Sequence, residues 1–152
     1  MNGRGGFIMA GSPPGPTPNG PTQTGRPKRA DASAEPLAMT QKPLAILQMG
    51  RPPEDLRASH GEQGDWVTAA LTGLDVPLTI EYPADGHALP DPARLRGAVL
   101  TGSWSMVTDR EPWSERTEQW LREALDAQLP LLGICYGHQL MAHAFGGVVD
   151  YH

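Results

Sequence analysis

The chain contains one cysteine, Cys135, and glycines stand two residues before it and two residues after it, at Gly133 and Gly137. An apolar run of strand type precedes the cysteine, and a run compatible with a helix follows it. This spacing is typical of a nucleophile elbow, a sharp turn between strand and helix at which larger neighbours would clash. The positive end of the helix dipole would favour an anion there. A lone cysteine after an apolar strand can also be a small buried hydrophobe, but the whole pattern favours a reactive thiol.

Two segments resemble motifs of the class I glutamine amidotransferases. The run Gly133–Gln139, with the sequence GICYGHQ, resembles the cysteine motif G-[IV]-C-x-G-x-Q of that family. The upstream run Val99–Ser103, with the sequence VLTGS, resembles the strand of that family that ends in Ser-Gly-Gly or a variant. The resemblance extends from about Pro43 to the end of the chain. It implies the N-terminal portion of a glutaminase domain of the kind found in GMP synthase.

The resemblance implies a role for each matching residue. Cys135 would attack the side-chain amide of glutamine, release ammonia and leave a γ-glutamyl thioester for water to hydrolyse. The backbone N–H groups of Tyr136 and of the Gly102-Ser103 turn would form the oxyanion hole. Gln139 matches the family glutamine that helps to hold the substrate, and the two glycines that flank Cys135 match the elbow. The implied substrate is therefore free glutamine.

The sequence departs from the family pattern at the end of the upstream strand motif, Val99–Ser103. Ser103 stands where the second glycine of the family motif falls, and Trp104 stands where many members have proline. The backbone N–H donor is kept when serine replaces glycine, although serine has less conformational freedom. Tryptophan in place of proline implies a different pocket wall.

The general base is not evident near the cysteine. His138 and His143 follow Cys135 on the same predicted helix, and we predict structural or pocket-rim roles for them, because neither side chain need face the thiol. The resemblance implies a histidine base, oriented by a glutamate two residues later, far downstream of the cysteine. No such pair follows Cys135 before the last residue, His152. The sequence therefore predicts an amidotransferase domain truncated at its C-terminus and inactive alone.

Three functional interpretations stay open. The first is a glutamine amidotransferase-type enzyme that releases ammonia, with a synthase domain or subunit of unknown identity as its possible partner. The second is a related cysteine hydrolase that cleaves γ-glutamyl amide or peptide bonds, which Ser103 in place of glycine leaves open. The third is a non-catalytic truncated product or binding subunit that retains the elbow.

Composition and charge exclude several other classes. The chain carries a net charge of −5 at pH 7, with the acidic excess after residue 42, which argues against nucleic acid as a partner. No apolar run approaches the length needed to span a membrane. A single cysteine cannot form an internal disulfide, which suits a reducing compartment and predicts a cytoplasmic location. No residues have metal-ligand spacing and no glycine-rich phosphate loop is present, so neither a metal nor a cofactor is predicted.

The first 41 residues differ from the rest. Residues 1–41 are rich in proline and glycine and poor in large apolar side chains, which predicts a disordered leader. Residues 42–152 are predicted to form the domain. Met39 directly precedes the first predicted strand, so we hypothesise that the functional chain begins near Met39, with a dispensable natural tail as the alternative.

Short apolar runs then alternate with helix-compatible segments. Strands are predicted over residues 44–49, 77–82, 97–102 and 131–134, with a fifth beginning over 148–151, and helices within 61–73, 112–128 and 136–145. This alternation predicts an α/β domain with an open, mostly parallel sheet that helices cover on both faces. Reactive groups gather at the carboxyl ends of strands in such sheets, where Gly102 and Cys135 fall. A sheet that stopped there would also leave an unpaired edge and uncovered apolar surface. The helix over 112–128 carries a predicted core-facing stripe of Trp113, Thr117, Trp120, Leu121, Ala124 and Leu125.

Overall fold

Four short strands form one parallel sheet in residues 41–150, the part of the chain that the computed structural model describes. The strands are β1 (Leu44–Leu47), β2 (Leu78–Glu81), β3 (Gly97–Leu100) and β4 (Leu131–Gly133). Their order across the sheet is β2-β1-β3-β4, and all the pairings are parallel. The α/β class and the parallel sheet predicted from sequence are confirmed. The predictions about the leader and Met39 lie outside the described residues.

Helices occupy the connections and follow the last strand. They are α1 (Glu54–His60), α2 (Gln63–Ala70), α3 (Pro112–Asp126) and α4 (Tyr136–Ala144). The sequence analysis predicts no helix at α1, because prolines such as Pro52 and Pro53 also mark loops. Pro53 is extended just before the first helical residue, with φ −50° and ψ 149°, and Glu54 and Asp55 place negative charge in the first turn. The prolines therefore precede a helix that acidic residues stabilise at its N-terminus.

Helices cover both faces of the central strand β1. Successive side chains of a strand point to opposite faces. Leu47 joins a buried cluster with residues of α3 and α4, whereas Gln48 accepts a hydrogen bond of 2.8 Å from Gly64 N on α2. The predicted stripe on α3 is buried except for Leu125, which is 53% exposed. Leu125 was wrongly assigned, because it lies about 100° around the helix from the buried Ala124.

The strand β4 lies at one edge of the described sheet and exposes apolar side chains. Leu131 packs against the cluster formed with α3 and α4, so Leu132 points to the other face. Leu132 is 58% exposed and Ile134 is 44% exposed. The uncovered apolar surface expected at this edge is present.

The chain turns at the end of α4 without forming another strand over 147–150. Gly146 has a φ of +92°, and Gly147 N donates a hydrogen bond of 2.8 Å to Ala142 O. Val148–Asp150 follow this turn and are not a strand, in contrast to the sequence prediction. The last residue of the predicted strand, Tyr151, lies outside the described range. None of the helices within 41–150 is long and apolar enough to span a membrane.

Candidate active site

Cys135 occupies a strained turn between β4 and α4. Its backbone has φ 51° and ψ −106°, a region that side-chain-bearing residues rarely adopt. Ile134 N donates to Leu100 O at 2.9 Å on one side of the turn, and Gln139 N donates to Cys135 O at 3.0 Å on the other. The cysteine is therefore held between the sheet and the first turn of α4, with its side chain exposed.

The glycines on each side of Cys135 are required by close backbone approaches. A Cβ atom at Gly133 would lie 2.5 Å from His138 N and 2.6 Å from Gly137 C. A Cβ atom at Gly137 would lie 2.5 Å from Leu100 O. The elbow spacing seen in the sequence therefore reflects the packing of the start of α4 against β4 and β3.

The turn after β3 lies beside the cysteine. A Cβ atom at Gly102 would stand 3.7 Å from Cys135 Cβ. Thr101 fixes this turn: its N–H donates to Leu47 O at 3.0 Å, and its carbonyl accepts from Gly137 N at 3.1 Å. The structure thus brings the two sequence motifs together at the carboxyl ends of neighbouring strands.

The backbone beside the thiol offers hydrogen-bond donors. Within residues 41–150, no backbone carbonyl accepts from the N–H groups of Gly102, Ser103 or Tyr136. Ser103 Oγ accepts a hydrogen bond of 3.1 Å from Ser105 N, so serine fits at the position where the family motif has glycine. These N–H groups can stabilise a negative oxygen that forms next to Cys135.

A pocket of about 540 Å³ opens over Cys135. One wall comes from α2, and the opposite side comes from the ends of β3 and β4. Sequence reasoning missed the α2 wall, since no local motif marks it. The lining residues are Gln63, Trp66, Val67, Ala70, Thr101, Gly102, Ser103, Trp104, Ile134 and Cys135.

Other predicted residues take different places. Gln139 is partly buried on α4 and is not among the residues that line this pocket. His138 is exposed, and His143 Nε2 lies 3.5 Å from Glu118 Oε1 on α3. Within the described range no histidine lines the pocket, and no cluster of acidic, histidine or cysteine side chains is placed to hold a metal ion.

Tyr136 anchors the start of α4 to α3. Its side chain is buried, its hydroxyl donates to Ser114 Oγ at 2.8 Å, and its ring centroid lies 5.5 Å from that of Trp113. Burial raises the pKa of Tyr136, and the hydrogen bond with Ser114 opposes this shift. The phenol thus fixes the start of the helix that follows Cys135.

A polar network holds the beginning of α2 against the end of β1. Gln48 Nε2 donates to Glu62 Oε2 at 2.6 Å, and Arg51 forms an ion pair of 2.6 Å with Glu62 Oε1. Glu62 also belongs to a His-x-Glu sequence that lies upstream of the cysteine, at His60 and Glu62. These two side chains do not line the pocket over Cys135: Glu62 is bound by Gln48 and Arg51, and His60 Nδ1 lies 2.7 Å from Ser59 Oγ.

The fold and the turn define an α/β protein with a cysteine at a strand-to-helix elbow, and comparisons identify its family. The family model "Glutamine amidotransferase class-I" matches residues 75–151. The chain therefore belongs to the class I glutamine amidotransferase family, as its motifs indicated.

Similar proteins match the chain over only part of their own length. The chain is 45% identical over 93 residues to a protein of Methanopyrus kandleri named as a subunit of glutamine-hydrolyzing GMP synthase, a match that covers 61% of this chain and 46% of that protein. It is 42% identical over 74 residues to the glutamine-hydrolyzing GMP synthase of Aeropyrum pernix, covering 49% of this chain and 13% of that protein. The crystal structure of a glutamine amido transferase from Methylobacillus flagellatus superposes with a TM-score of 0.56 and 25% identity, covering 72% of this chain and 41% of that one. The chain spans less than half the length of each.

Proposed function

We propose that Cys135 is the nucleophile of a glutaminase reaction that converts glutamine to glutamate and ammonia. The observation that carries this proposal is the elbow itself: a cysteine at φ 51° that lines a pocket together with the Gly102-Ser103 turn. Strained backbone at a pocket-lining nucleophile is typical of catalytic sites.

The chemistry follows from these groups. The thiolate adds to the amide carbon of glutamine, and the carbonyl oxygen becomes an oxyanion near the N–H groups of Tyr136 and the Gly102-Ser103 turn. The carbon–nitrogen bond breaks after the nitrogen takes up a proton, and ammonia leaves. Water then attacks the γ-glutamyl thioester, which yields glutamate and returns the thiol.

Proton transfer needs a further residue. Because no histidine among residues 41–150 lines the pocket, we propose that this part of the chain supplies the nucleophile and the donors but not the base. Glutamine hydrolysis that relies on residues 41–150 alone should then be very slow, since a positioned base contributes about 100- to 10,000-fold.

A synthase partner is the proposed destination of the ammonia. Similar proteins of Methanopyrus kandleri and Methanocaldococcus jannaschii are each named as one subunit of a glutamine-hydrolyzing GMP synthase. This naming supports a separate synthase polypeptide as the partner class, and it leaves the acceptor open.

Protection of the thiol tests the proposal without requiring turnover. Cys135 is the sole cysteine, so intact mass reports its alkylation by N-ethylmaleimide directly. Glutamine should slow this alkylation, whereas asparagine, shorter by one methylene group, should protect less. Equal alkylation rates with and without saturating glutamine would refute a glutamine site at Cys135. Cys135→Ala provides the blank.

A further inference from the structure

One wall of the Cys135 pocket carries a buried polar side chain without a partner. Gln63, the first residue of α2, is 9% exposed and lines the pocket. Its Oε1 atom is buried and has no hydrogen-bond partner within residues 41–150. Gln63 Nε2 lies 3.8 Å from the point where a Cβ atom of Gly102 would stand, and Cys135 Cβ lies 3.7 Å from the same point. The carboxamide and the cysteine therefore share one side of the Gly102 backbone.

The neighbours of Gln63 show that its position is fixed. Glu62 and Gly64, on either side of it, are both bound to the buried side chain of Gln48. Gln48 uses its whole carboxamide, since Nε2 also donates to Gly50 O at 2.9 Å. Gln48 is thus a paired structural glutamine, whereas the carboxamide of Gln63 is held next to the pocket with an acceptor to spare.

We infer that Gln63 binds the side-chain amide of the substrate, an inference that rests on the proposed glutaminase function. A carboxamide can exchange its donor and its acceptor by rotation about its last side-chain bond. Gln63 can therefore present either Nε2, the atom near Gly102, or Oε1 to a primary amide that lies beside Gly102 and Cys135. A hydrogen bond between the two amide groups would contribute to substrate binding.

The experiment measures the concentration of glutamine that halves the alkylation rate of Cys135 by N-ethylmaleimide. Gln63→Leu removes both polar atoms, and Gln63→Met does so while keeping an unbranched side chain. Each variant should raise the half-protecting concentration of glutamine about three- to tenfold, because the hydrogen bond to the substrate amide is lost. The control is Gln119→Leu, the same exchange at an exposed position of α3, which should not alter this concentration.

The outcomes separate the two hypotheses. No protection by glutamine in the unsubstituted chain would refute the proposed function, and this inference with it. Protection that is equal in the unsubstituted chain and in both Gln63 variants would refute the inference alone. A rise for Gln63→Leu but not for Gln63→Met would also refute it, because the changed shape of the side chain would then explain the loss. Thermal unfolding checks the fold, and Gln63→Leu should not lower the melting temperature, since it removes an unpartnered buried polar atom.

Discussion

Replacing Gly137 by alanine tests whether the elbow depends on close packing between α4 and β3. The added Cβ atom would lie 2.5 Å from Leu100 O, 2.6 Å from Leu100 Cβ and 2.9 Å from Leu100 C. Leu100 is fully buried, and its carbonyl already accepts a hydrogen bond from Ile134 N. The neighbour therefore cannot move aside, so the start of α4 must shift away from the sheet.

The expected loss of stability combines two opposing effects. Overpacking against rigid backbone costs about 3 kcal/mol, and alanine in place of glycine within a helix recovers about 1 kcal/mol. The free energy of unfolding of Gly137→Ala should therefore fall by about 2 kcal/mol. In a domain of this size the melting temperature should drop by roughly 10 °C.

Gly102→Ala is the matched control, because it also adds a methyl group beside Cys135. Its nearest contacts would be 3.7 Å and 3.8 Å, an ordinary van der Waals separation, so its stability should change by less than about 0.5 kcal/mol. Thermal and urea unfolding, followed by circular dichroism, measure both variants. If Gly137→Ala proves as stable as Gly102→Ala, the packing explanation for the elbow glycines is wrong.

Three further predictions follow from the backbone strain, the buried phenol and the exposed edge. The free energy of unfolding in urea should be about 1 kcal/mol higher for Cys135→Gly than for Cys135→Ala. Glycine relieves about 2 kcal/mol of backbone strain at this position, which outweighs the greater conformational entropy that glycine loses on folding. Equal stability of the two variants would exclude backbone strain at the elbow. Since burial raises the pKa of Tyr136 in the folded chain, its contribution to stability is complete below about pH 10 and declines above it. The melting temperature of Tyr136→Phe should therefore fall less steeply with rising alkaline pH. The remaining fall would come in part from Tyr82, whose pKa burial also raises. An unchanged slope would show that Tyr136 does not contribute to the alkaline loss of stability. Leu132→Lys, in the exposed edge strand, should reduce aggregation on warming, measured by light scattering, because a charge discourages pairing of strand edges. Leu125→Lys, at a comparably exposed helix position, is the control and should reduce aggregation less. Equal effects would show that the edge strand is not the origin of aggregation.

The sequence predicted the architecture well where hydrophobic patterns are local. Each strand of the sheet lies inside its predicted run. The signal is clearest for β1 and β3, since a buried parallel strand needs a continuous apolar segment. The errors arose where a local signal has two meanings. Pro52-Pro53 marks the start of α1 as readily as a loop, and Val148-Val149 has strand-forming residues but follows a turn closed by Gly147.

The candidate site was predictable only in the part encoded by short motifs. Gly133, Cys135 and Gly137 lie within five consecutive residues, so the steric demands of the elbow appear directly in the sequence. Gln63 and Trp66 reach the pocket from a distant helix, and no spacing rule connects them to the cysteine. Gln139 does not line this pocket in residues 41–150, and its substrate-binding role stays a prediction from the motif alone.

The carboxyl end of β1 determines how the two halves of the pocket meet, although it contributes no reactive group. Met49 N donates to Thr101 Oγ1 at 3.0 Å, which ties β1 to the turn beside the cysteine. One residue earlier, Gln48 holds the residues on both sides of Gln63. Because β1 is flanked by β2 and β3, a shift of this strand end would move the α2 wall and the Gly102 turn together. The pocket geometry therefore depends on a strand whose sequence, taken alone, indicates nothing but a buried core.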